Sequence, residues 1–461
     1  MMPVSRMLRQ RVSGLAGDTR AALRALWLLA RSRPGLRRGR RILDAYLYAL
    51  PLVEVARLRW RSLQGAGGQR LAVNRFVHQE RLSGHLDRLV TTPNNDTLYS
   101  LAVLDLSGGP LLLEVPDTGG RYYSLALIDA ASNNFAIVGR RTTGTAAGRF
   151  LVGQSPVSAA AAAAVPIIAP GPSVLALLRI LVDDEADVPA VRALQQGFRL
   201  STPAGTTPVP VADPVLALTA LPDESDAVAF VQMASAVLAA NPPPPADAAV
   251  LRRLRGTGLG GDDTLAADAA ALADWQAVYP LARDILRQAI TRLGRASAGW
   301  RRPPAHIGDF GGDYRLRAGV ALAGLLALPP VEAAYASTLS DSRGRPLAGG
   351  ACYRLRFPAG GLPVHAFWSL SLYEVMPDGR LFFIASELGR HAIGDRTPGL
   401  RHAADGALEI DISHEPPVAG TANWLPAPAR GPFCLILRTY QPDTALLDSR
   451  YRLPDVERVA R

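Results

Sequence analysis

From Leu71 to about Leu221 the chain consists of short apolar runs separated by Gly, Pro, Asn and Asp. The clearest of these runs are TLYSLAVLDL (97–106), PLLLEV (110–115), RYYSLALID (121–129) and FAIVGRR (135–141). Short strands with a turn signal roughly every eight to twelve residues are typical of antiparallel sandwiches and barrels. The pattern therefore predicts a β-sandwich or barrel rather than a parallel α/β sheet.

The same pattern returns from Trp300 to the C-terminus. Its apolar runs are CYRLRFP (352–358), AFWSLSLYEV (366–375), RLFFIAS (380–386), ALEIDIS (407–413) and FCLILRTY (433–440). MPDGR (376–380) contains an Asp-Gly pair, which favours a tight hairpin turn. NWLPAP (423–428) predicts an extended segment that its prolines hold straight.

Residues 223–298 differ from both β regions, because they form apolar-periodic stretches of helical length. Three helices are expected here, the third with Asp263 or Thr264 as its N-cap. An earlier apolar helix covers residues 42–60, where Pro51 is expected to break or restart it. The predicted domains are a basic N-terminal arm (1–41), an N-terminal β domain with a leading helix (42–222), a helical insertion (223–298) and a C-terminal β domain (299–461).

One segment of the first β region matches a segment of the second. The aligned pairs are Tyr122 with Phe367, Tyr123 with Trp368, Ser124 with Ser369, Leu125 with Leu370 and Asp129 with Glu374. Two ordinary amphipathic strands could share such a pattern. The order of aromatic pair, serine, leucines and carboxylate nevertheless favours a duplicated domain. In the first segment, the alternation of a strand directs the rings of Tyr122 and Tyr123 to opposite faces of the sheet.

The net charge of +10 is confined to residues 1–41, which contain eleven arginines against Asp18. The other 420 residues carry 39 basic and 39 acidic side chains, so the distribution does not indicate nucleic-acid binding. The arm predicts a basic amphipathic helix that docks on its own protein or contacts an anionic membrane surface. It lacks a clear signal peptide and an apolar stretch long enough to span a bilayer. We therefore expect a cytoplasmic or peripheral membrane location.

Several enzyme classes are disfavoured by composition and spacing. The chain has no lysine, which excludes Schiff-base lysines and the lysine of a phosphate-binding P-loop. GTGLGG (256–261) follows a helical stretch instead of a strand and is interpreted as a linker. The seven histidines and two cysteines (Cys352 and Cys434) show no local metal-binding spacing. No cofactor and no metal are predicted.

The motifs of both β regions resemble a bacterial family with two domains of unknown function, numbered 1254 and 1214. The motifs that carry the resemblance are PNNDTLYS (93–100), VPDTGGRYYSL (115–125), IVGRRTTG (137–144), DYRLRA (313–318), AFWSLSLYE (366–374), IGDR (393–396), DGALEI (405–410), NWLPAP (423–428) and LRTY (437–440). They span residues 42–460. The resemblance implies two jelly-roll-like β domains with a helical region, of which the C-terminal one is similar in architecture to those of peptide-N-glycosidase F. It implies no shared reaction.

Polar side chains of these motifs predict a site for a polar or glycan-like molecule. Carbohydrate hydroxyls both donate and accept, which suits a mixture of amide, carboxylate and phenol groups. The predicted ligand-binding residues are Asn94, Asn95, Asp96, Tyr99, Arg121, Asn423 and Trp424. Asn94–Asp96 could equally close an Asx-turn that opens a strand, and Phe367, Trp368 and Trp424 could pack in the core.

Three functions stay open from the sequence. The first is binding of a polar or glycan-like small molecule in a cleft of, or between, the β domains. The second is a hydrolase or lyase that acts on a carbohydrate-like substrate, with Asp96, Asp129 and Arg121 as candidate catalytic residues. The third is a structural or scaffold protein. The sequence does not decide whether the chain is an enzyme.

Overall fold

A computed structural model describes residues 34–65, 69–88, 91–155, 163–206, 213, 215–260, 268–290, 294–297 and 299–460. Most of the basic arm lies outside these ranges, so its predicted amphipathic helix and membrane contact stay predictions. None of the helices in the described ranges is long and apolar enough to cross a membrane. Cys352 and Cys434 are both free.

The described chain begins with helix α1 (Pro34–Ser62), which leads into an antiparallel β-sandwich. The elements of this first sandwich are β1 (Phe76–His78), β2 (Thr97–Asp105), β3 (Leu111–Val115), β4 (Tyr123–Ile128), β5 (Asn134–Gly139), β6 (Gly148–Gly153), β7 (Val165–Ile168), β8 (Ser173–Leu181), α2 (Val188–Gly197) and β9 (Arg199–Ser201). One sheet has the strand order β1-β2-β8-β4-β5 and the other β7-β6-β3-β9. Aliphatic residues from both sheets form the core between them.

A helical region connects this sandwich to a second one. Its helices are α3 (Ala227–Ala240), α4 (Ala248–Leu254), α5 (Ala269–Ile290) and α6 (Tyr314–Ala323). The second sandwich contains β10 (Arg295–Ser297), β11 (Trp300–Arg302), β12 (Ala333–Thr338), β13 (Cys352–Phe357), β14 (Val364–Val375), β15 (Leu381–Phe382), β16 (Ala392–Gly394), β17 (Leu408–Ser413), β18 (Trp424–Pro426), β19 (Phe433–Pro442), α7 (Thr444–Leu447) and β20 (Glu457–Val459). Its large sheet has the order β10-β11-β12-β19-β14-β15, with β16 also paired to β14, and its small sheet the order β18-β17-β13-β20.

The two sandwiches repeat one strand arrangement. The order β2-β8-β4-β5 in the first corresponds to β12-β19-β14-β16 in the second, and β7-β6-β3-β9 corresponds to β18-β17-β13-β20. In both small sheets one pair, β6 with β7 or β17 with β18, is parallel. Ser124 pairs with Arg179 as Ser369 pairs with Arg438, which agrees with the sequence match and sets the register of the repeat.

The large sheets pack against each other across the domain interface through the faces that do not form the sandwich cores. Tyr122 and Phe367, which are equivalent in the repeat, meet there with ring centroids 5.3 Å apart. Tyr123 and Trp368 point the other way, into the core of their own sandwich. The alternation expected for Tyr122 and Tyr123 is therefore observed, the second pair shows it as well, and one ring of each pair is an interface residue.

The helices form a separate apolar core at the side of the sandwiches. Helix α1 packs against α3, α5 and α6, and the Tyr46 and Phe230 rings lie 5.3 Å apart. The predicted break at Pro51 is wrong, because α1 continues through this residue. Nearly every residue around it is buried, and this packing offsets the roughly 3 kcal/mol that an interior proline costs a helix. At the start of α5, Asp268 accepts the amides of Ala270 and Ala271, whereas the predicted caps Asp263 and Thr264 lie outside the described residues.

Candidate functional site

A cleft of about 390 Å³ lies between the two sandwiches. One wall comes from residues 82–84, the segment before β2 and the loop after β8; the other comes from β14, β16 and the residues around β16. Its lining includes Asn95, Asp96, Val182, Asp183, Asp184, Glu185, Ser369, Arg390, His391, Gly394, Arg396 and Thr397. The duplicated fold forms this cleft where the end of one large sheet faces the other domain.

Asp96 joins the two walls. Its carboxylate is 5% exposed and accepts a 2.6 Å hydrogen bond from the Ser369 hydroxyl of the other domain. The Arg396 guanidinium lies 3.7 Å from its second oxygen. Arg396 also donates to the Val182 carbonyl at 2.6 Å and stacks over the Phe367 ring at 4.3 Å. The carboxylate and the guanidinium therefore fix the relative position of the domains at the cleft.

The repeat places an equivalent contact on the other side of the interface. Glu332 is fully buried, and its carboxylate accepts hydrogen bonds from the Tyr122 hydroxyl at 2.8 Å and from Arg141 Nε at 2.6 Å. Asp96 precedes strand β2 as Glu332 precedes β12, and each lies three residues before a tyrosine. Each domain thus supplies one buried carboxylate to the other, and we call these two contacts the reciprocal anchors.

The two anchors differ in the residue that lies beside them. Beside the Glu332 anchor, Arg140 reaches across and donates to the His365 carbonyl at 2.7 Å and to Gln441 Oε1 at 2.8 Å. The equivalent residue beside the Asp96 anchor is Asp395, whose shorter side chain accepts the amide of Trp368 within its own domain. The difference between a crossing arginine and a local aspartate leaves space at the Asp96 side.

Three polar atoms at this cleft are buried without a hydrogen-bond partner among the described residues. They are the Asn95 side-chain oxygen, the Nδ1 of His391 and the Nε of Arg396. Buried polar atoms are nearly always paired in native proteins, so three on one cleft are unusual. They combine an acceptor, a ring nitrogen and a donor, which are the groups that contact a polar ligand.

The His391 ring is held in a stack of aromatic side chains. The centroid of its ring lies 4.7 Å from that of Phe383, and the Phe383 centroid lies 4.7 Å from that of Tyr373. His85, from the opposite wall, lies 6.2 Å away. Burial lowers the pKa of His391, the neighbouring His85 lowers it further, and the backbone of Ile384 beside the ring offsets part of this shift. The ring is therefore neutral at neutral pH and can accept a proton or a hydrogen bond.

The lowered pKa predicts an acid sensitivity of the fold. Below the usual histidine pKa of about 6.5 the unfolded chain binds a proton that folded His391 resists, so stability is lost as the pH falls. Replacing His391 by Gln is expected to flatten the loss of the unfolding free energy between about pH 7 and pH 5, as measured by urea titration at several pH values. The control is His402→Gln, because His402 is exposed. If the unfolding free energy falls equally steeply with pH in His391→Gln and in wild type, His391 is not the cause of the acid sensitivity.

Asn94 lies next to the cleft and orients other side chains. Its Oδ1 accepts the Asp96 amide at 2.7 Å, which is the expected Asx-turn. Its Nδ2 donates to the hydroxyls of Tyr99 at 3.1 Å and Tyr440 at 2.8 Å. Among the residues predicted from the sequence, Asn95 and Asp96 line the cleft, while Asn94 and Tyr99 lie directly behind it.

The other predicted site residues lie elsewhere. Arg121 forms a bidentate salt bridge with Asp187 and donates to the Leu181 carbonyl. These contacts anchor the loop after β8. Asn423 bridges the backbones of residues 401 and 409. The buried Trp424 donates its Nε1–H to the Ser413 carbonyl. None of the three lines the cleft, and all three satisfy backbone groups of the fold.

Asp129 is remote from Asp96. Asp96 precedes the β2 residue that pairs with Leu181, whereas Asp129 follows the β4 residue that pairs with Leu175. Six residues of one strand correspond to roughly 20 Å, which exceeds the separation of about 5–10 Å between glycosidase carboxylates. The Asp129 carboxylate accepts both the backbone and side-chain amides of Asn133. It closes a turn and does not form an acid–base pair with Asp96.

Neither His391 nor Arg396 is among the site residues that the sequence predicts. IGDR (393–396) was recognised as a family motif, and its likeness to VGRR (138–141) in the repeat could have indicated Arg396 as an interface residue. His391 had no such signal. Within the described ranges, no group of three or more His, Cys, Asp and Glu side chains could hold a metal ion.

Comparison with known proteins identifies both domains. Residues 73–202 match the family described as Protein of unknown function (DUF1254), and residues 332–444 match Protein of unknown function (DUF1214). No curated protein matches the chain. The 1254 match covers most of the first sandwich, and the 1214 match covers β12 to β19 of the second.

Two crystal structures provide a comparison of the fold. A protein from Vibrio parahaemolyticus is 24% identical over 92% of this chain and 100% of its own, with a TM-score of 0.70. An uncharacterised protein from Burkholderia cenocepacia is 13% identical over 98% of both chains, with a TM-score of 0.42, too low to support an argument. The first supports the β-sandwich architecture alone. The two domain matches, in the predicted order, show that the chain belongs to the family that pairs domains of unknown function 1254 and 1214.

Proposed function

We propose that the cleft between the β domains binds a small polar molecule that carries several hydroxyl groups, as glycan-like compounds do. One observation carries the proposal: Asn95, His391 and Arg396 each have a buried polar atom without a partner, and all three residues line the cleft. Leaving such atoms unpaired costs about 1–3 kcal/mol each. A small rotation of these side chains brings the buried atoms to the cleft surface, and a ligand that then pairs with them recovers this free energy on binding.

The chemistry of the three atoms favours hydroxyl groups. The Asn95 oxygen accepts, the Arg396 Nε–H donates, and the neutral His391 ring does either according to its tautomer. A hydroxyl group donates and accepts at once, so adjacent hydroxyls can satisfy both kinds of atom. The cleft volume of about 390 Å³ lies within the range of small-molecule sites, roughly 300–1,000 Å³.

The charges of the cleft favour a neutral or cationic ligand over an anion. Its lining has four carboxylates (Asp96, Asp183, Asp184 and Glu185) and two guanidinium groups (Arg390 and Arg396). Arg390 is bound to the backbone carbonyls of residues 421, 422 and 424. Arg396 is close to Asp96 and Asp183. The positive charges are thus engaged, whereas Asp184 and Glu185 add further negative charge.

The test is a thermal-shift screen followed by calorimetry with a panel of neutral sugars, amino sugars, polyols and sugar acids. A ligand of the native state raises the melting temperature by mass action. We expect Asn95→Ala and His391→Ala to weaken binding by about tenfold or more each. The control is His402→Ala, because His402 is an exposed histidine outside the cleft. Binding that is equal in all three variants would place the ligand elsewhere, and the absence of any ligand in the panel would refute the proposed class.

A hydrolase or lyase that acts on a carbohydrate-like substrate is the second candidate. It is favoured by the presence of a neutral histidine, His391, and a buried carboxylate, Asp96, on the same cleft. In such a reaction His391 acts as general base. Arg121 is not in a position to take part. The test is product formation from the ligands found above: His391→Gln is expected to abolish turnover while leaving the fold intact, and unchanged turnover would exclude this role.

A further inference from the structure

Behind the cleft, the two halves of the repeat bring a second set of polar side chains together at the domain interface. Tyr99 pairs in register with Arg179, and Tyr335 pairs with Arg438. Tyr440 completes the set, because Asn94 Nδ2 contacts the hydroxyls of both Tyr99 and Tyr440. We call Tyr99, Arg179, Tyr335, Arg438 and Tyr440 the phenol–arginine row.

Two positive charges of this row are buried without an ion pair. Arg179 and Arg438 are 6% and 4% exposed. Arg179 Nη2 donates to the Leu326 carbonyl and Arg438 donates to Ser371 Oγ and the Thr92 carbonyl. Neither forms a salt bridge with a described carboxylate, although the charge of Asp96 acts on Arg438 over a longer distance. An unpaired buried charge costs several kcal/mol, so the row has an excess of positive charge.

The row also has an excess of hydrogen-bond donors. Because the Asn94 amide donates to the hydroxyls of Tyr99 and Tyr440, the hydrogens of both phenols must point elsewhere. The orientation of this amide is fixed, since its oxygen accepts the Asp96 amide.

Two further donors add to this excess. Nη1 of Arg179 is buried without a partner, and the Tyr335 hydroxyl forms no hydrogen bond with a described residue. Burial raises the pKa of Tyr335 and of Tyr440, so both stay protonated and able to donate.

We propose that the phenol–arginine row is a binding site for a small oxyanion, a carboxylate or a phosphate. Three phenol hydroxyls and one unpaired guanidinium nitrogen, next to two buried positive charges, favour a ligand that has several acceptor lone pairs and a negative charge. A single water accepts about two hydrogen bonds and leaves the other donors and the charges unpaired. Tyr99 and Tyr335 are half-buried, so both retain accessible surface. The site is distinct from the unpaired atoms of the cleft, which face a more acidic lining.

The experiment uses the wild-type protein in a chloride buffer at constant ionic strength, titrated with acetate in one arm and with inorganic phosphate in the other. We expect one of the two anions to raise the melting temperature in a saturable manner. Tyr335→Phe and Tyr99→Phe each remove only a hydroxyl group. Each is expected to lower the affinity for this anion by about tenfold or more. Tyr46→Phe changes a tyrosine of the helical core and is expected to bind as wild type does.

The two arms distinguish the two kinds of oxyanion. His391→Ala tests whether the two sites are independent. This variant is expected to lose sugar binding in the cleft and to bind the anion as wild type does. Two results would overturn the proposal: no saturable stabilisation by either anion above chloride, or equal affinity in wild type and Tyr335→Phe.

Discussion

Replacing Glu332 by Ala is expected to lower the free energy of unfolding by about 3–5 kcal/mol. The change leaves the Tyr122 hydroxyl buried at the domain interface without its acceptor, and it leaves Arg141 without its carboxylate. Because the Glu332 side chain is fully buried, solvent does not replace the lost partner. Urea unfolding followed by tryptophan fluorescence and circular dichroism measures the loss.

The matched control is Glu409→Ala, which removes a carboxylate that pairs with Arg354 and Arg356 at the protein surface. Such exposed pairs contribute about 0–1 kcal/mol. Glu332→Gln keeps an acceptor for Tyr122 and is expected to lose less than Glu332→Ala. If Glu332→Ala is no more destabilising than Glu409→Ala, the reciprocal anchors do not hold the domains together.

Gly394→Ala is the second change with a large expected effect. A Cβ at this position would overlap the Trp368 carbonyl oxygen and lie 3.1 Å from the Ser369 Cα. Both are backbone atoms of β14, so no side chain can move aside and β16 must shift from its partner. Overpacking typically costs about 1–3 kcal/mol, and this contact is expected to fall at the upper end. Because Arg396 and His391 flank Gly394, ligand binding in the cleft is expected to weaken as well.

The control for this prediction is Gly312→Ala. Nothing lies within 4 Å of a Cβ built there, and its backbone does not adopt a positive φ. The expected change in unfolding free energy is near zero. Gly139→Ala, at the equivalent site of the repeat, meets the Tyr123 carbonyl at 2.6 Å and is expected to destabilise the fold without affecting the cleft. A cleft that binds equally well in Gly394→Ala would contradict the importance of β16.

The sequence predicted the elements of the fold whose signals are local. The short runs with turn residues predicted both sandwiches, and the hairpin at 376–380 forms as the Asp-Gly pair indicates. The match between Tyr122–Ser124 and Phe367–Ser369 predicted a repeat whose strand order the structure shows in both domains. Helix α6 was not predicted, because it is short and lies within a region of strand-like composition. Its Tyr314 and Ala318 pack in the helical core, whose other residues are distant in the sequence, so no local pattern indicates the helix.

The candidate site was predicted only in part for the same reason. Asn95 and Asp96 were identified because they belong to a dense polar motif. The residues opposite them, Ser369 and Arg396, are about 300 positions away in the sequence, and no local pattern indicates which distant side chains a motif will face. Arg121 was misleading as a candidate site residue, because nothing in the local sequence distinguishes an arginine that binds an aspartate of another loop from one that binds a ligand.

The crossing arginine at position 140 illustrates what a duplication within one chain permits at a domain interface. Two identical subunits related by a two-fold axis present the same surface to each other, so any residue that closes one edge of their contact also closes the other. Once two copies are joined in one polypeptide, each edge can change separately. Here one edge has an arginine that reaches across the interface, and the other has an aspartate that stays within its own domain beside the cleft. Gene fusion thus allows one edge of a formerly symmetric interface to keep its domain contacts while the residues of the opposite edge change independently.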